Sequence, residues 1–357
     1  MKIAIDCRLY HQGGVGRYIR NLIWYLNKLD KKNQYTLFFY QLVPNKIPSR
    51  FKTKITKAKW HSLLEQTAFA KELMAGNFDL VHFPYFSHPI TYNRPFVITI
   101  HDLTVKHFAT GQATTGTLPY YYLKRLGYHL VLKHAVNYAQ QILVPSRAVL
   151  TDLVTCFPKI KPKLTLTYEG LGLDLLQAKS KSVPLPKCRF WLYVGNFYPH
   201  KNVGLLLKAF SSLGNKSEHL VLVGPKDLFA KRIETEINKL GLTDKVTLLS
   251  DLTNGELAWL YQRALALVLP SLFEGFGLPI LEASYFGCPL ILSKIAVFKE
   301  IALSGAKFFD PHSSKSLRDC LLKPPLRQNS KPSKSYFERF SFAKLAAQTL
   351  AVYEQNK

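Results

Sequence analysis

Short apolar runs recur along the chain and alternate with longer stretches in which apolar residues follow the spacing of an amphipathic helix. Continuous apolar runs are typical of strands that are buried on both faces of a parallel sheet, and their alternation with helices is typical of α/β folds. Because this alternation occurs twice along the chain, the pattern predicts two doubly wound parallel sheets.

The predicted strands of the first half have the sequences KIAID, YTLFFY, FDLVHF, PFVITI and QILVP. Helices are predicted between and after them, over residues 16–29, 62–75, 118–138 and 146–156. The predicted strands of the second half are RFWLYVG, HLVLVG, KVTLL, ALALVLP, CPLIL and AKFFD. The helices that separate them are expected to begin near Asn202, Leu228, Asn254 and Leu278, and Asn202 is expected to cap its helix.

Two polar stretches mark the expected domain boundaries. Serine, lysine and proline accumulate in LDLLQAKSKSVPLPK, which is the predicted join between the two sheets. The second stretch, KPPLRQNSKPSKS, leads into a last amphipathic helix, FSFAKLAAQTLAVYEQ. These boundaries predict a first domain over residues 1–175, a second domain over residues 185–330 and a C-terminal helix within residues 336–357.

The chain of 357 residues carries a formal net charge of +25, which predicts a surface that attracts anions. Residues 1–182 hold 25 Lys and Arg against 9 Asp and Glu (+16), and the remainder holds 23 against 14 (+9). Lysines are concentrated in NKIPSRFKTKITKAKW, around a short predicted strand. This lysine-rich edge, residues 46–59, is either a solvated strand edge that resists aggregation or a basic functional face.

Several classes of protein are disfavoured. Asp6 and Arg8 interrupt the first apolar run, and no apolar stretch reaches the roughly 18 residues of a membrane span, so a cytoplasmic protein is expected. The five cysteines lie far apart without a Cys-x-x-Cys pair, which indicates reduced, buried thiols rather than a zinc site or a disulfide framework.

The first strand leads into a glycine-bearing turn, IAIDCRLYHQGGVGRYIRNL. A dinucleotide fingerprint would need a third glycine and a tighter turn, so a nicotinamide oxidoreductase is disfavoured. Gly14 and Gly16 instead predict a loop that lets a ligand approach the backbone, directly before a helix start that favours negative charge. The alternative is that both glycines serve turn geometry alone.

The second half begins with a similar turn, YVGNFYPHKNVGLLLKAF, in which Gly195 ends the strand. His200 and Lys201 precede a helix start, where positive side chains are electrostatically unfavourable. A bound anion over the helix end would resolve this conflict, whereas a solvated lysine is the plainer alternative.

The segment LPSLFEGFGLPILEASYFG combines two glutamates with a Gly-Phe-Gly turn. A helix that starts near Leu278 would leave the amides of Phe276, Gly277 and Leu278 available for a phosphate. Glu282 is expected in the first helical turn and Glu274 in the loop, where carboxylates can accept hydrogen bonds from hydroxyl groups. Phosphate and hydroxyls together predict a nucleotide-sugar, although a helix-dipole role for Glu282 and a solvated Glu274 remain alternatives.

PSLFEGFGLPILEA, YVGNFYPHKN, GGVGRY and TIHDLT together resemble the family 4 (group 1) retaining glycosyltransferases of the GT-B fold, which include mannosyltransferases. The resemblance extends from Ile3 to the last helix. It implies two Rossmann-like domains facing across a cleft, with the acceptor bound by the first domain and the nucleotide-sugar donor by the second. It also implies a C-terminal helix that crosses back onto the first domain, and transfer of a hexose with its anomeric configuration retained.

The resemblance also implies roles for individual residues. Glu274 would bind donor-sugar hydroxyls, Glu282 the ribose, and Lys201 the donor phosphates, where it neutralises charge on the departing nucleotide. His101, in TIHD, would lie near the donor sugar as a further catalytic residue. The remaining implied donor-binding positions are Gly14, Gly16, Gly195, His200, Phe276, Gly277 and Leu278. His200 stands where many members have arginine, so its phosphate binding would depend on protonation.

No metal or other cofactor is expected, because the sequence has no Asp-x-Asp and its Glu234 and Glu236 are two positions apart on a predicted helix. The expected partners are a nucleotide-sugar donor, a glycan or lipid-linked acceptor and, as a hypothesis, the anionic inner face of the cytoplasmic membrane. GDP-mannose and UDP-glucose both fit the motifs. A same-fold epimerase or phosphorylase is the main alternative, and a nucleic-acid-binding protein is disfavoured because no helix-turn-helix, zinc or aromatic-platform motif is present.

Overall fold

The computed structural model describes residues 1–108, 118–186, 188–214, 217–327 and 332–356, without the side chains of residues 118–121. The chain divides into two compact units. The first unit consists of Met1–Gly172 and Glu338–Lys357, and the second of Leu173–Phe337. The division therefore falls at the start of the serine- and lysine-containing stretch in which the sequence predicted the join. The resemblance leaves acceptor recognition to loops of the first domain such as LTVKHFATGQATTGTLPYYYLK, residues 103–124, and this segment falls partly on residues 109–117, which lie outside the described residues.

The first unit is built on a parallel sheet with the strand order β3-β2-β1-β4-β5-β6-β7. Its central strands are buried along their whole length, as their apolar runs predicted. The strands are β1 (Lys2–Asp6), β2 (Gln34–Tyr40), β3 (Lys52–Thr56), β4 (Leu80–Phe83), β5 (Phe96–Thr99), β6 (Gln141–Val144) and β7 (Leu164–Leu166).

Helices cover this first sheet. They are α1 (Gly13–Leu29), α2 (Ala70–Ala75), α3 (Thr104–His107), α4 (Leu118–Tyr138) and α5 (Arg147–Cys156). A π-helical turn, Glu65–Phe69, precedes α2, and a 3₁₀ turn, Pro158–Lys163, precedes β7. The hydroxyl of Ser146 accepts a hydrogen bond from the amide of Val149 and so caps α5.

The second unit is built on a parallel sheet with the strand order β10-β9-β8-β11-β12-β13. Its strands are β8 (Phe190–Val194), β9 (His219–Val223), β10 (Val246–Leu249), β11 (Leu267–Leu269), β12 (Leu290–Ser293) and β13 (Lys307–Phe309). Its helices are α6 (Leu173–Leu176), α7 (Val203–Ser211), α8 (Leu228–Lys239), α9 (Asn254–Arg263), α10 (Leu278–Tyr285), α11 (Ala296–Ile301) and α12 (Ser314–Leu322). The short helix α13 (Lys334–Arg339) contains the second point of division.

The order of strands reverses once in each sheet, between β1 and β4 in the first unit and between β8 and β11 in the second. In doubly wound sheets the crossovers diverge at such a point and leave a crevice outside the carboxyl ends of the two strands. The segments that follow β8 and β11 therefore meet at one edge of the second sheet.

The last helix, α14 (Phe342–Gln355), belongs to the first unit and packs against α1. Tyr353 is fully buried, and its hydroxyl lies 2.5 Å from Nδ1 of His82. The other ring nitrogen of His82 contacts Oγ1 of Thr99 at 2.9 Å, and the hydroxyl of Tyr18 lies 3.0 Å from the same oxygen. A buried chain of hydrogen bonds thus joins the last helix to two strands and to α1.

Arg327 links the carboxyl ends of two helices of the second unit through hydrogen bonds. Its guanidinium donates to four main-chain carbonyl oxygens, those of Tyr261, Ala264, Phe286 and Gly287. These residues lie at the carboxyl ends of α9 and α10, where carbonyls lack helical partners and a positive charge is favourable.

The predicted fold class is confirmed by the two parallel sheets and by the return of α14 to the first unit. Three local predictions were wrong. The first helix begins at Gly13 rather than Gly16, and residues 62–75 contain a π-helical turn before α2. β7 was missed because its leucines alternate with threonine and form no continuous apolar run. Of the five free thiols, only Cys7 and Cys288 are buried. Among the described residues, no helix has the length and apolarity that crossing a membrane requires.

Two buried histidines make the first unit sensitive to acid. Burial is the largest cause that lowers the pKa of His82 and of His88 to about 3, from 6.5. The unfolded chain binds these protons below about pH 6.5 and the native state does not, so the free energy of unfolding falls as pH drops toward 3. We expect up to about 2 kcal/mol of loss per histidine between pH 7 and pH 5.

Denaturant unfolding at pH 7, 6 and 5 measures this loss. His88→Gln should flatten the pH dependence, while His11→Gln, at an exposed position, should leave it as in the wild type. An identical slope in all three proteins would contradict the assignment.

Candidate active site

The crevice at the strand reversal of the second sheet holds the residues that follow β8 and β11. Lys201 lies seven residues after the end of β8, at the end of a 3₁₀ turn (Pro199–Lys201). Glu274 lies in the loop between β11 and α10. The sheet therefore brings together two predicted site residues that are more than 70 positions apart in sequence.

Lys201 and Glu274 form a salt bridge. Nζ of Lys201 lies 2.7 Å from Oε2 of Glu274, and both side chains are 15% exposed. The hydroxyl of Ser271 donates to Oε1 of Glu274 at 2.9 Å, and the hydroxyl of Ser293 donates to the carbonyl of Ser271. The carboxylate is thus held from β11 and β12, while its charge is balanced by the lysine. The pair remains accessible enough for a ligand to exchange with either partner.

Asn202 locks the two segments together. Its backbone is left-handed, with φ of 57°, and its side-chain amide donates to the carbonyls of Pro270 at 3.2 Å and Pro311 at 2.8 Å. Asn202 is the N-cap residue of α7, as predicted, but its side chain makes no capping hydrogen bond because it is engaged elsewhere. The amide of Leu272 also donates to the carbonyl of His200 at 2.8 Å. These bonds fix Lys201 relative to Glu274.

His200 and Gly195 lie in the same segment after β8. The ring of His200 stacks on that of Tyr198 with centroids 5.9 Å apart. The amide of Gly195 donates to the carbonyl of Val223, which keeps this turn against β9. Burial, followed by the charge of Glu274, raises the pKa of the neighbouring Tyr193 well above its ordinary value, so this phenol stays neutral.

The Gly-Phe-Gly turn ends at the start of α10. Gly277 is the N-cap and has φ of 109°, in the left-handed region that favours glycine, and α10 begins at Leu278 as predicted. Phe276 and Leu278 are buried. The turn thus presents the backbone rather than side chains at the helix start.

Glu282 is the fifth residue of α10 and lies in its second turn, so its predicted place in the first turn was wrong. The side chain is 2% exposed, and its Oε2 accepts a hydrogen bond of 2.7 Å from the hydroxyl of Tyr261 on α9. The two glutamates therefore differ in environment: Glu274 is paired with a lysine in the crevice, whereas Glu282 is held in the interior.

In the first unit, Gly14 and Gly16 lie in the first turn of α1, so the predicted loop before the helix was wrong. Gly16 is required by packing, because a Cβ there would lie 2.5 Å from the carbonyl oxygen of Tyr10. A Cβ on Gly14 would meet no atom within 4 Å. Of these two glycines, Gly14 is therefore the one that leaves open space beside the backbone.

His101 follows β5 and is held on both sides of its ring. Nε2 lies 3.0 Å from the carbonyl oxygen of Pro84, and Nδ1 lies 3.1 Å from Oε1 of Glu169. Burial is the largest single effect and lowers the pKa of His101. The hydrogen bond and charge of Glu169, with smaller effects of the Pro84 carbonyl and of Asp102, together outweigh it, and the net shift is upward. Glu169 was not predicted from the sequence, because it lies 68 positions away with no motif to connect it to His101.

A second missed cluster lies at the carboxyl end of β1. NH2 of Arg8 contacts Asp6 and Glu65 at 2.7 Å each, and all three side chains are buried. Glu65 also accepts from the hydroxyl of Ser87 at 2.7 Å. Because Glu65 begins the π-helical turn, this cluster fixes that turn against β1. The Asp-x-Arg pair in the first strand was the available signal.

The crevice of the second unit can bind a ligand that carries both phosphate and hydroxyl groups. A lysine ammonium and a helix start favour phosphate, and a carboxylate oxygen accepts from hydroxyls. Within the described ranges, no group of three or more His, Cys, Asp or Glu side chains is arranged to hold a metal ion.

Two family models match the chain and together cover most of it. The model described as Glycosyltransferase Family 4 matches residues 12–175, and the model described as Glycosyl transferases group 1 matches residues 178–329.

Two curated relatives match over most of the chain. The chain is 28% identical over 285 residues to the O-antigen chain mannosyltransferase RfbU of Salmonella typhimurium, covering 78% of this chain and 74% of the relative. It is 24% identical over 332 residues to O-antigen chain mannosyltransferase B of Escherichia coli, covering 85% and 84%.

Solved structures share the fold. Sucrose-phosphate synthase from Thermosynechococcus elongatus superposes with a TM-score of 0.77 at 21% identity, covering 99% of this chain and 98% of that one. HepE from Anabaena, solved in complex with UDP and glucose, superposes with a TM-score of 0.73 at 16% identity, covering 99% and 100%. These matches assign the GT-B fold.

Proposed function

Because the chain belongs to the glycosyltransferases that join a family 4 domain to a group 1 domain, we propose that it transfers mannose from a nucleotide diphosphate donor to a glycan or lipid-linked acceptor. The salt bridge between Lys201 and Glu274, at the strand reversal of the second sheet, is the observation that carries the proposal. A cation and an acceptor oxygen are paired there in a crevice of the kind in which doubly wound sheets bind nucleotides.

The roles of the pair follow from their charges. The donor diphosphate brings negative charge to Lys201, and a sugar hydroxyl donates to Glu274, so Lys201 exchanges one anionic partner for another and Glu274 exchanges the ammonium for a hydroxyl group. In the reaction the bond between the sugar C1 and the diphosphate oxygen breaks, and C1 bonds to the acceptor hydroxyl oxygen. The acceptor proton leaves with the nucleoside diphosphate. Lys201 stabilises the charge that develops on that leaving group.

The remaining predicted donor residues support the same proposal. His200 would add a positive charge when protonated, and Gly277 and Leu278 present the start of α10 to the diphosphate. Glu282 would bind ribose hydroxyls, which requires access to a carboxylate that is 2% exposed in this structure. In the first unit, the space beside Gly14 suits an approach to its backbone.

Mannose is favoured because both O-antigen relatives are named mannosyltransferases, and their names also favour a cell-envelope polysaccharide as the product. GDP-mannose is therefore the first donor to test and UDP-glucose the second. We propose that transfer retains the anomeric configuration, as the resemblance implies. We further propose that it requires no metal, with Lys201 and the α10 start meeting the phosphate charge.

A same-fold epimerase or phosphorylase is the alternative function, and its products would differ. An epimerase would convert the nucleotide-sugar into its epimer, with the sugar still attached to the nucleotide and no acceptor extended, and a phosphorylase would consume inorganic phosphate.

We also propose peripheral binding to the anionic inner face of the cytoplasmic membrane, through one face of α4. Tyr122, Leu123, Leu126 and Leu130 on this helix are each more than half exposed. The helix contains Lys124, Arg125 and Lys133 and no Asp or Glu. An apolar stripe flanked by cations suits the interface of an anionic bilayer. The lysine-rich edge is the weaker candidate, because Lys52 and Lys54 lie on the edge strand β3, where lysines prevent strand pairing.

The first prediction concerns donor and metal. Purified protein with a mannose-containing glycan acceptor should extend it from GDP-mannose in the presence of EDTA, with retained configuration in the product. Mass spectrometry of the product measures the extension, and NMR measures its anomeric configuration. An epimeric nucleotide-sugar without an extended acceptor would support the epimerase alternative, and an EDTA-abolished rate that magnesium or manganese restores would contradict metal independence.

A second prediction concerns the salt bridge. Lys201→Ala and Glu274→Gln should each lower turnover at least about tenfold, since each removes a charged contact worth about 1.5–3 kcal/mol. Lys208→Ala and Glu234→Gln, at exposed helix positions of the same unit, are the matched controls and should keep wild-type rates. Wild-type turnover of both site variants at saturating donor would refute the assignment.

The membrane prediction uses vesicle co-sedimentation. The protein should bind anionic liposomes at low salt and neutral ones weakly, because each nearby cation contributes about 1 kcal/mol that salt screens. Leu123→Ser with Leu126→Ser should lower binding at least threefold, whereas Lys52→Glu with Lys54→Glu should lower it less. The reverse ranking would assign binding to the lysine-rich edge. Self-association that the α4 variant abolishes, without vesicle binding, would assign the face to a second copy of the chain.

A further inference from the structure

His101 has both ring nitrogens engaged by groups that only accept hydrogen bonds. A carbonyl oxygen, that of Pro84, faces Nε2, and a carboxylate oxygen, that of Glu169, faces Nδ1. A neutral imidazole carries one N–H and could satisfy only one of them, whereas an imidazolium carries two. The geometry therefore suits the doubly protonated ring.

The position of Glu169 is itself fixed on both sides. Gly170 lies against the chain that leads into α14, since a Cβ there would be 2.5 Å from the amide nitrogen of Phe342. On the other side, the hydroxyl of Tyr168 accepts a hydrogen bond of 3.0 Å from Arg339. The carboxylate is 6% exposed on its side chain, so water screens its charge little.

The other titratable groups around His101 do not supply the main negative charge that would balance an imidazolium. Asp102 contributes a smaller upward effect on the pKa of His101. His82 is kept neutral by burial, which lowers its pKa to about 3. Tyr18, whose ring edge packs on His101 with centroids 5.0 Å apart, has its pKa raised by burial and is also neutral. Glu169 is thus the dominant partner of the imidazole.

We propose that Glu169 is a positioning residue for His101, which it holds as an imidazolium clamped between its own carboxylate and the carbonyl of Pro84. The proposal rests on the function proposed above and adds to it that His101 serves transfer as a fixed positive group. His101 does not then act as a base that removes the acceptor proton, because both of its nitrogens already carry protons.

The titration of His101 tests the clamp without any activity. In protein labelled with ¹⁵N-histidine, with the signal assigned by its loss in His101→Gln, both ring nitrogens of the wild type should show the protonated form at pH 7. In Glu169→Gln, which keeps the shape and removes the charge, the pKa of His101 should fall by at least one unit. Asp152→Asn, which removes the other histidine–carboxylate pair of this unit at His107, should leave the His101 titration unchanged.

The pH dependence of transfer tests the use of the charge. Relative to the wild type, Glu169→Gln should lose at least about tenfold in kcat at pH 8, and the loss should become smaller as pH falls, because a lower pH favours return of the proton to His101. Glu169→Asp keeps the charge on a shorter side chain, so its kcat at pH 8 should lie between those of the wild type and Glu169→Gln. It also provides a second variant if Glu169→Gln fails to fold. Glu72→Gln, which removes a carboxylate on α2 that has no proposed role in transfer, should follow the wild-type profile.

Three outcomes would overturn the proposal. If the titration of His101 is unchanged in folded Glu169→Gln, Glu169 does not hold His101 as an imidazolium, whatever the activity of the variant. A lowered pKa with wild-type rates at every pH would show that the charge is not used. A faster variant at pH 8 would indicate a neutral base. Absence of transfer in the wild type would refute the proposed function alone, because the titration would still measure the clamp.

Discussion

Parallel strands impose the constraint on which the rest of this structure depends. When all strands of a sheet run in one direction, their carboxyl ends share an edge, and the order of strands decides which ends are neighbours. In the second unit this places the segments after β8 and β11 side by side. Asn202 then ties those segments together through two carbonyls, and the salt bridge of Lys201 with Glu274 forms between them. The chemistry of the crevice is thus a result of topology, and the side chains are held by hydrogen bonds to the main chain.

The first unit has the same strand order and a different interior. Its polar groups form a buried chain from Tyr353 through His82 and Thr99 to Tyr18. His82 is neutral within this chain because its partners are hydroxyl groups and burial penalises charge. The pKa of His101 is instead raised, because one of its partners is a carboxylate. Two neighbouring histidines therefore have pKa values shifted in opposite directions, and the difference is set by their partners rather than by burial alone.

The sequence was sufficient to predict the fold, because the spacing of apolar residues and the composition of each segment are local properties. Apolar runs located eleven of the thirteen strands directly, and the boundaries of α4 were obtained from sequence alone. The site was predicted in part, since Lys201 and Glu274 lie in motifs with characteristic spacing. Glu169 and the side-chain bonds of Asn202 were not predictable, because they depend on which distant segments meet. The predicted position of Glu282 was wrong by less than one helical turn. The residue lies in the protein interior rather than at the start of α10.

Arg327 has a mechanical consequence. The guanidinium lies five residues beyond α12, yet its bonds run to the ends of α9 and α10. A force that pulls on the chain at Arg327 therefore acts on the ends of α9 and α10 before it acts on α12. Those two helices also share the bond between Tyr261 and Glu282. Four hydrogen bonds to carbonyls loaded together resist such a pull far better than the same bonds broken one after another, so the planar fork of an arginine suits this position and a lysine would not.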